Sequence, residues 1–348
     1  MPGRVRIRSV SSVNVQLSRY RRLNCRRTAR NRELKRLRTL ILRDAVRSPP
    51  PSTLRPVPVP RVAIATCAEL PDGDAECALL LDALRARGID ASTAVWSERP
   101  DDGWDAFDAV VIRATWDYTS ATDRFQRWAG EIGARLHNAP DVIAWNADKR
   151  YLFDLERAGI PVVAGDLVAP GADVALPGGQ FVVKPTVSAG ARHTAVYDDA
   201  RHAQAREHVA ALHADGRAVL VQPYLERVQT EAETAVIFID GELSHAMRKE
   251  PLLTLDQVEP AGLYRPETMS RREADPDVLD LARRTLGYAT ERFAQRLLYA
   301  RVDVLRDDDG SPTVLELELI EPSLFLDYAP ASADALADAI IQRAGAHR

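Results

Sequence analysis

Cysteine is scarce in this chain, and what there is cannot form a framework. Cys25, Cys67 and Cys77 are odd in number and show neither CxxC nor zinc-finger spacing, which argues against a disulfide scaffold and a structural zinc site and points to a reducing, cytoplasmic setting. No apolar run approaches the roughly 18 to 20 residues of a membrane-spanning helix, so a membrane partner is excluded. No GxGxxG occurs, and the first apolar strand runs instead into Cys67-Ala68-Glu69-Leu70-Pro71, which disfavours a nicotinamide-binding domain. The seven histidines include no HxxxH pair. Lysine is the scarcest charged residue: four lysines stand against 42 arginines.

What is present divides into two unlike parts. The 348 residues allow two or three domains. Residues 1–60 carry 16 Lys+Arg against 2 Asp+Glu and the remainder 30 against 48, so an arm of net +14 precedes a body of net −18. Six of the 22 prolines fall between Pro49 and Pro60, a density that favours an extended linker, so the fold is expected to begin near Arg61. The arm reads first as a tail, or as sequence upstream of the natural start. Nucleic-acid binding through its clustered arginines is the minor reading, and an Arg-rich targeting peptide is another. The oligomeric state is left open.

In the body, Arg61–Thr66 reads as a strand, Ala75 to Leu84 as a helix, and further strands as Ala91–Val95 and Ala109–Ile112. A helix through Phe125, Trp128 and Ile132 follows. This alternation predicts a parallel α/β domain over 61–142, whose ligand-binding end carries the stretch Arg113 to Tyr118. From there the pattern changes to antiparallel α+β, split at 143–225 and 226–348. Phe181–Lys184, Ala195–Tyr197, Val219–Gln222, Leu298–Leu305 and Thr313–Ile320 read as strands. Thr234–Ile239 and Leu243–Met247 form a hairpin turning at Asp240-Gly241.

Where arginine supplies nearly all positive charge, a retained lysine suggests a compact point charge set against a phosphate. Only Lys149, Lys184 and Lys249 lie in the body. Lys184 ends an apolar strand and precedes Pro185 and the small-residue loop Thr186-Val187-Ser188-Ala189-Gly190-Ala191, whose N–H and hydroxyl groups suit phosphate oxygens. Lys149 follows Asn146, read as a helix N-cap, and so falls in an anion-favouring first turn. Asp303 and the alternating Glu316 and Glu318 place three carboxylates on neighbouring strands. They would repel one another unless a hard cation held them, which suits Mg²⁺ bridging nucleotide phosphates.

These features together resemble the ATP-grasp superfamily: the strand-terminal Lys-Pro with its small-residue loop, the segment Gln222-Pro223-Tyr224-Leu225, and the paired acidic strand after an Asp-bearing one. The segments VVKPTVSAGARHT, DGELSHAMRK and LELELIEPSLFL resemble, more narrowly, the O-ureido-serine cyclo-ligases of cycloserine biosynthesis. The resemblance implies an ATP-grasp fold preceded by a parallel α/β domain, with ATP and Mg²⁺ as cofactors. It implies that Lys149 and Lys184 contact ATP phosphates under the Thr186–Ala191 loop, including Ser188, Ala189 and Gly190. Gln222, Tyr224 and Leu225 would line the adenine pocket, Arg248 would neutralise the transferring phosphoryl group, and Asp303, Glu316 and Glu318 would hold the metal. Many ATP-grasp ligases carry Asn at the last metal position, where this chain has Glu318. Glu233 and Arg301 are expected to line the site. Arg113 is the candidate grip on a substrate carboxylate, with Trp116, Asp117 and Tyr118 shaping the pocket.

The implied reaction is phosphoryl transfer to a carboxylate and attack by a nitrogen nucleophile within the same small, amino-acid-like molecule. An intermolecular carboxylate–amine ligase and a non-catalytic nucleotide-binding relic are the alternatives. The arm should be dispensable: a chain beginning at Val59 is expected to keep the melting temperature and ATP turnover of the full chain, and a large loss of either shows that the arm packs or acts.

Overall fold

The computed structural model describes residues 59–253, 255 and 268–346. The expectations for the arm and for most of the proline linker lie outside the described residues. Strand β1 (Arg61–Thr66) is buried on both faces from Val62 onward, as a central parallel strand must be. Helix α1 (Ala75–Ala86) starts at Asp74, whose carboxylate accepts from the Cys77 N–H at 2.8 Å and so satisfies an orphan donor of the first turn. With β2 (Asp90–Val95), β3 (Ala109–Ile112), α2 (Thr122–Ile132) and β4 (Leu136–His137) this makes a sheet of order β2-β1-β3-β4 with every pair parallel. The expected parallel domain is therefore present, with β4 as a short edge strand that its two residues could not announce.

Two short helices, α3 (Pro140–Asn146) and α4 (Tyr151–Arg157), lead into β5 (Asp166–Val168), β6 (Phe181–Pro185), β7 (Ala195–Tyr197), α5 (His202–Ala214) and β8 (Val219–Pro223). These strands form an antiparallel sheet of order β5-β8-β6-β7, packed on α5 through Val183, Val209, Leu212 and Val221. A third sheet follows α6 (Val228–Glu231). It comprises β9 (Glu233–Ile239), β10 (Glu242–Lys249), β11 (Met269–Arg272), β12 (Tyr299–Arg306) and β13 (Pro312–Glu318), in the order β11-β10-β9-β12-β13. The β9–β10 turn has Asp240 at φ 50° and Gly241 at φ 75°, the left-handed pair that a tight hairpin demands. A Cβ on Gly241 would also meet the Arg296 side chain at 3.0 Å.

Helix α7 (Pro276–Phe293) covers one face of the third sheet, with Leu281, Ala282 and Leu286 set against Val302, Val304 and Leu317. The other face shares a core with the parallel sheet, where Ala235, Ile237 and Tyr299 join Val62, Ile64 and Leu80. Helix α8 (Pro330–Ala346) closes that core through Leu336 and Ile340, and Arg87 just beyond α1 pairs with Asp334 and Asp338. Residues 59 onward thus form one compact unit in which the last helix packs on the first domain. No helix among the described residues is long and apolar enough to cross a membrane.

Strand β13 is an edge of its sheet, and its outward backbone groups need partners. Side chains supply them. Asn146 donates to Leu317 O and accepts from Leu319 N, both at 2.8 Å. The Tyr151 hydroxyl accepts from Leu317 N at 2.9 Å, and Asn138 donates to Leu319 O at 2.8 Å. Asn146 is therefore not the N-cap that the sequence suggested. It ends α3, because an amide side chain can stand in for the missing neighbouring strand, and Lys149 lies in the turn before α4. Asn146→Ala should cost about 3 kcal/mol in urea unfolding, since it strands two buried backbone groups at about 1 to 3 kcal/mol each. A cost below about 1 kcal/mol would show that water replaces the amide.

Candidate active site

The second and third sheets and the loop ends of the parallel sheet line one cleft of about 490 Å³. All three lysines of the body reach it: Lys184 from the end of β6, Lys149 from the turn before α4, and Lys249 from the end of β10. All three are buried. Lys184 Nζ lies 3.1 Å from Glu316 Oε1, and Lys149 Nζ lies 3.7 Å from the same oxygen. Lys149 also donates to the Ser188 carbonyl at 2.9 Å and hydroxyl at 3.1 Å, which ties it to the small-residue loop. That loop contributes Ser188, Ala189, Gly190 and Ala191 to the lining.

The acidic strand faces these cations. Asp303 on β12 is opposite Glu316 in the β12–β13 register, and Arg301 is opposite Glu318. Asp303 accepts from Lys249 at 2.9 Å and from Arg301 at 2.9 and 3.0 Å; Arg301 also pairs with Glu318, and Lys249 lies 3.1 Å from Glu233. The carboxylates are thus held by side-chain cations of the same cleft, where the sequence suggested that only a metal could offset their repulsion.

Burial drives the Glu316 carboxyl up, but Lys149 and Lys184 together outweigh it and bring it down to about 2. Burial raises Glu318 to about 7, with the Asp303 and Glu316 charges adding to it against Arg301. Burial, reinforced by Glu318, lifts Glu321 to about 8. Burial lowers Lys184, with Glu316 opposing. These shifts follow from crowding acids and bases into a poorly solvated space.

The residues fit Mg²⁺ in the manner usual for that ion, through one or two carboxylates completed by phosphate oxygens. Glu316 and Glu318 remain 24% and 28% exposed at their side chains, whereas Asp303 is 2% exposed. Among the described residues no three ligating side chains converge closely enough to hold a metal by themselves.

Gln222, Tyr224, Leu225, Glu233, Arg301 and Trp116 line the cleft, as does Tyr118. Four expected site residues do not. Arg248 turns away because neighbouring strand residues face opposite sides; its guanidinium binds Glu250 at 2.7 Å and the Glu231 carbonyl at 2.9 Å, and Lys249 takes the inward position. Arg113 is 3% exposed and is held behind the wall by Glu76 at 2.9 Å, with its guanidinium over the Tyr299 ring. Glu76 in turn accepts from Leu324 N and Phe325 N at 2.9 Å each. Asp117 is occupied by Trp96 Nε1 at 2.7 Å, and Thr186 bonds Asp148 at 3.2 Å. The lysine-scarcity argument, carried one residue further, would have given Lys249 a role.

Two antiparallel sheets closing on a cleft, with Lys184 at the end of a strand of one and an acidic strand on the other, define an ATP-grasp carbon–nitrogen ligase. D-alanine–D-alanine ligase from Bacillus anthracis, solved with ATP, shares the fold at a TM-score of 0.58 and 15% identity over 83% of this chain and 98% of its own. The ATP-grasp ligase PsnB, solved with a minimal precursor, Mg and ADP, does so at 0.53 and 22% identity over 82% and 97%. Residues 62–138 match the family model for the N-terminal domain of the D-cycloserine synthetase DcsG. The cycloserine biosynthesis protein DcsG of Streptomyces lavendulae is 35% identical over 281 residues, which is 76% of this chain and 92% of that protein. A crystal structure of D-cycloserine synthetase DcsG superposes with a TM-score of 0.75 at 35% identity, covering 82% of this chain and 99% of that one. The chain belongs to the D-cycloserine synthetase (DcsG) family.

The raised carboxyls carry a sign. Glu318 and Glu321, at about 7 and 8 in the fold, lie above the roughly 4.3 of an unfolded glutamate. Their stabilising contribution is complete below that value and is lost as pH rises towards 8; that of Glu316, shifted downward, is lost only as pH falls from about 4.3 towards 2. The melting temperature of the ligand-free protein should therefore fall between pH 5 and pH 8, and Glu318→Gln should flatten the fall. A wild type and variant that decline in parallel would remove Glu318 as the source.

Proposed function

We propose that the cleft binds ATP with Mg²⁺, activates the carboxylate of a small amino-acid-like substrate as an acylphosphate, and closes the ring of O-ureido-serine. The observation that carries the reading is that every lysine of the body meets the acidic strand in one cleft. The membership in the D-cycloserine synthetase family supports the ring-closing product.

Lys149 and Lys184 are the cations that ATP phosphates would draw from Glu316. The exchange is between like partners: a compact ammonium gives up a carboxylate for phosphate oxygens and frees Glu316 to face the metal. Glu316 and Glu318 would hold Mg²⁺, which supplies charge neutralisation at the phosphates. Ser188, Ala189 and Gly190 cover them from the loop, and Gln222, Tyr224 and Leu225 line the base pocket. Lys249 and Arg301, held in place by Asp303, aim positive charge at the transferring phosphoryl group, the part first assigned to Arg248. Alignment and electrostatics carry most of the rate in such a transfer, so no protein nucleophile is required. The attacking nitrogen belongs to the substrate itself and gains the effective concentration of an intramolecular reaction. Enclosure of the cleft keeps water from the acylphosphate.

O-ureido-D-serine with ATP and Mg²⁺ should release ADP and phosphate and yield cycloserine with no added amine, followed by mass spectrometry. ADP that appears only when a second amine is supplied replaces the cyclo-ligase with an intermolecular ligase. In the same assay Lys184→Ala should abolish turnover and Lys184→Arg should restore little of it, since a planar fork does not replace a point charge. Near-normal activity of the arginine variant removes the phosphate role.

A further inference from the structure

Nearly every buried or half-buried acid that lines the cleft is already paired. Glu76 is held by Arg113, Asp303 by Lys249 and Arg301, Glu316 by Lys184, and Glu318 by Arg301. Glu321 differs. It is 8% exposed and lines the same cleft, and among the described residues its carboxyl receives a hydrogen bond from no residue but itself, through its own backbone N–H. An unpaired buried carboxyl is costly, and it persists where a ligand completes it.

Its position gives the ligand's chemistry. Glu321 follows the acidic strand where the chain returns to the parallel sheet, and it is the charge that Tyr118 of that sheet feels most strongly. The lining drawn from the parallel domain and from the segment after Glu321 includes Asp74, Trp116, Tyr118, Phe325, Asp327 and Tyr328, and among the described residues these two stretches add no cation to it. The cations of the cleft, Lys149, Lys184, Lys249 and Arg301, are all committed to other acids. A cationic group therefore suits this end, and an anionic one does not. Lys149 and Arg301 are both near enough for their charge to act on Glu321, and Lys149 is already held by Glu316 and Ser188. A molecule placed between Glu321 and Arg301 has an ammonium at one end and a carboxylate at the other, which is the arrangement of an α-amino acid.

Resting on the ligase reading above, we propose that Glu321 accepts the ammonium group of the amino-acid substrate and so directs its carboxylate towards Arg301 and the phosphates. An arriving ammonium supplies the charged partner that no other described residue gives this carboxyl. Specificity then comes from the unmet need of a buried acid: a substrate without the amine leaves Glu321 unpaired, and the site discriminates against it.

The test compares O-ureido-D-serine with its desamino counterpart, 3-(ureidooxy)propanoate, by calorimetric binding in the presence of a non-hydrolysable ATP analogue and by ADP release. Wild type should bind the amine-bearing compound about 10- to 100-fold more tightly, the loss of one charge-assisted hydrogen bond. Glu321→Gln should remove most of that preference, weakening the amine-bearing compound while leaving the desamino compound and the ATP analogue within about twofold. Its melting temperature should hold or rise, since an unpaired buried carboxyl is replaced by a neutral side chain of the same shape. Equal binding of the two compounds by wild type, binding of neither, or equal losses of both in the variant overturns the assignment. Discrimination in binding without ADP release overturns the cyclo-ligase reading and leaves Glu321 as the ammonium site.

Discussion

Everything in the cleft depends on the contact between Glu316 and the two lysines that converge on it. Glu316 belongs to the edge strand of the third sheet, whereas Lys184 ends a strand of the second and Lys149 precedes α4. Three separate pieces of chain therefore meet at one carboxylate. Breaking a buried ion pair by removing one member costs far more than the pair contributes, because the survivor is left desolvated and alone. The pairing thus fixes where the sheets stand, and only an anion able to satisfy the lysines in place of Glu316 can loosen it. A polyphosphate meets that requirement, and a neutral metabolite does not.

The second constraint is the edge of β13. Glu316 and Glu318 stand on a strand that has a neighbouring strand on one side only. Asn146, Tyr151 and Asn138 resolve this by bonding the free backbone edge from the side. Their polar groups are absorbed by the strand, so that Glu316 and Glu318 face the cleft from a rigid support. Arg113 and Glu76 do the same for the loop that follows, since Glu76 accepts from two successive backbone N–H groups there. Arg113, which resembled a ligand contact in the sequence, is buried behind the wall of the cleft, and Glu76 holds that wall in place.

The fold class and most strands could be read from the chain because period and turn chemistry are local. The Asp240-Gly241 hairpin, the Phe181–Lys184 strand and the helix through Ala75 to Leu84 all lie within a residue or two of where pattern places them. The short elements escaped: β4 has two residues and β5 has three, too few for any period to register, and the helix expected after Asn146 begins only at Tyr151. The arginine bias made the lysines legible as site residues, and it served Lys184 and Lys149 well. It named Lys249 as well but drew no role for it, and Arg248 was preferred beside it.

The sequence by itself determined which residues could do this chemistry: three lysines retained among arginines, a small-residue loop, and acids at alternate positions of an apolar strand. Tertiary structure decided which of them do face one another. Strand alternation turned Lys249 inward and Arg248 outward, and packing of α1 against the C-terminal segment placed Glu76 over Arg113 and sealed it from the cleft. Glu321 was left with a cavity in front of it and, among the described residues, no partner from another residue. The physical reason is that pairing of buried charges depends on distance through space, and a chain pattern specifies only distance along the backbone.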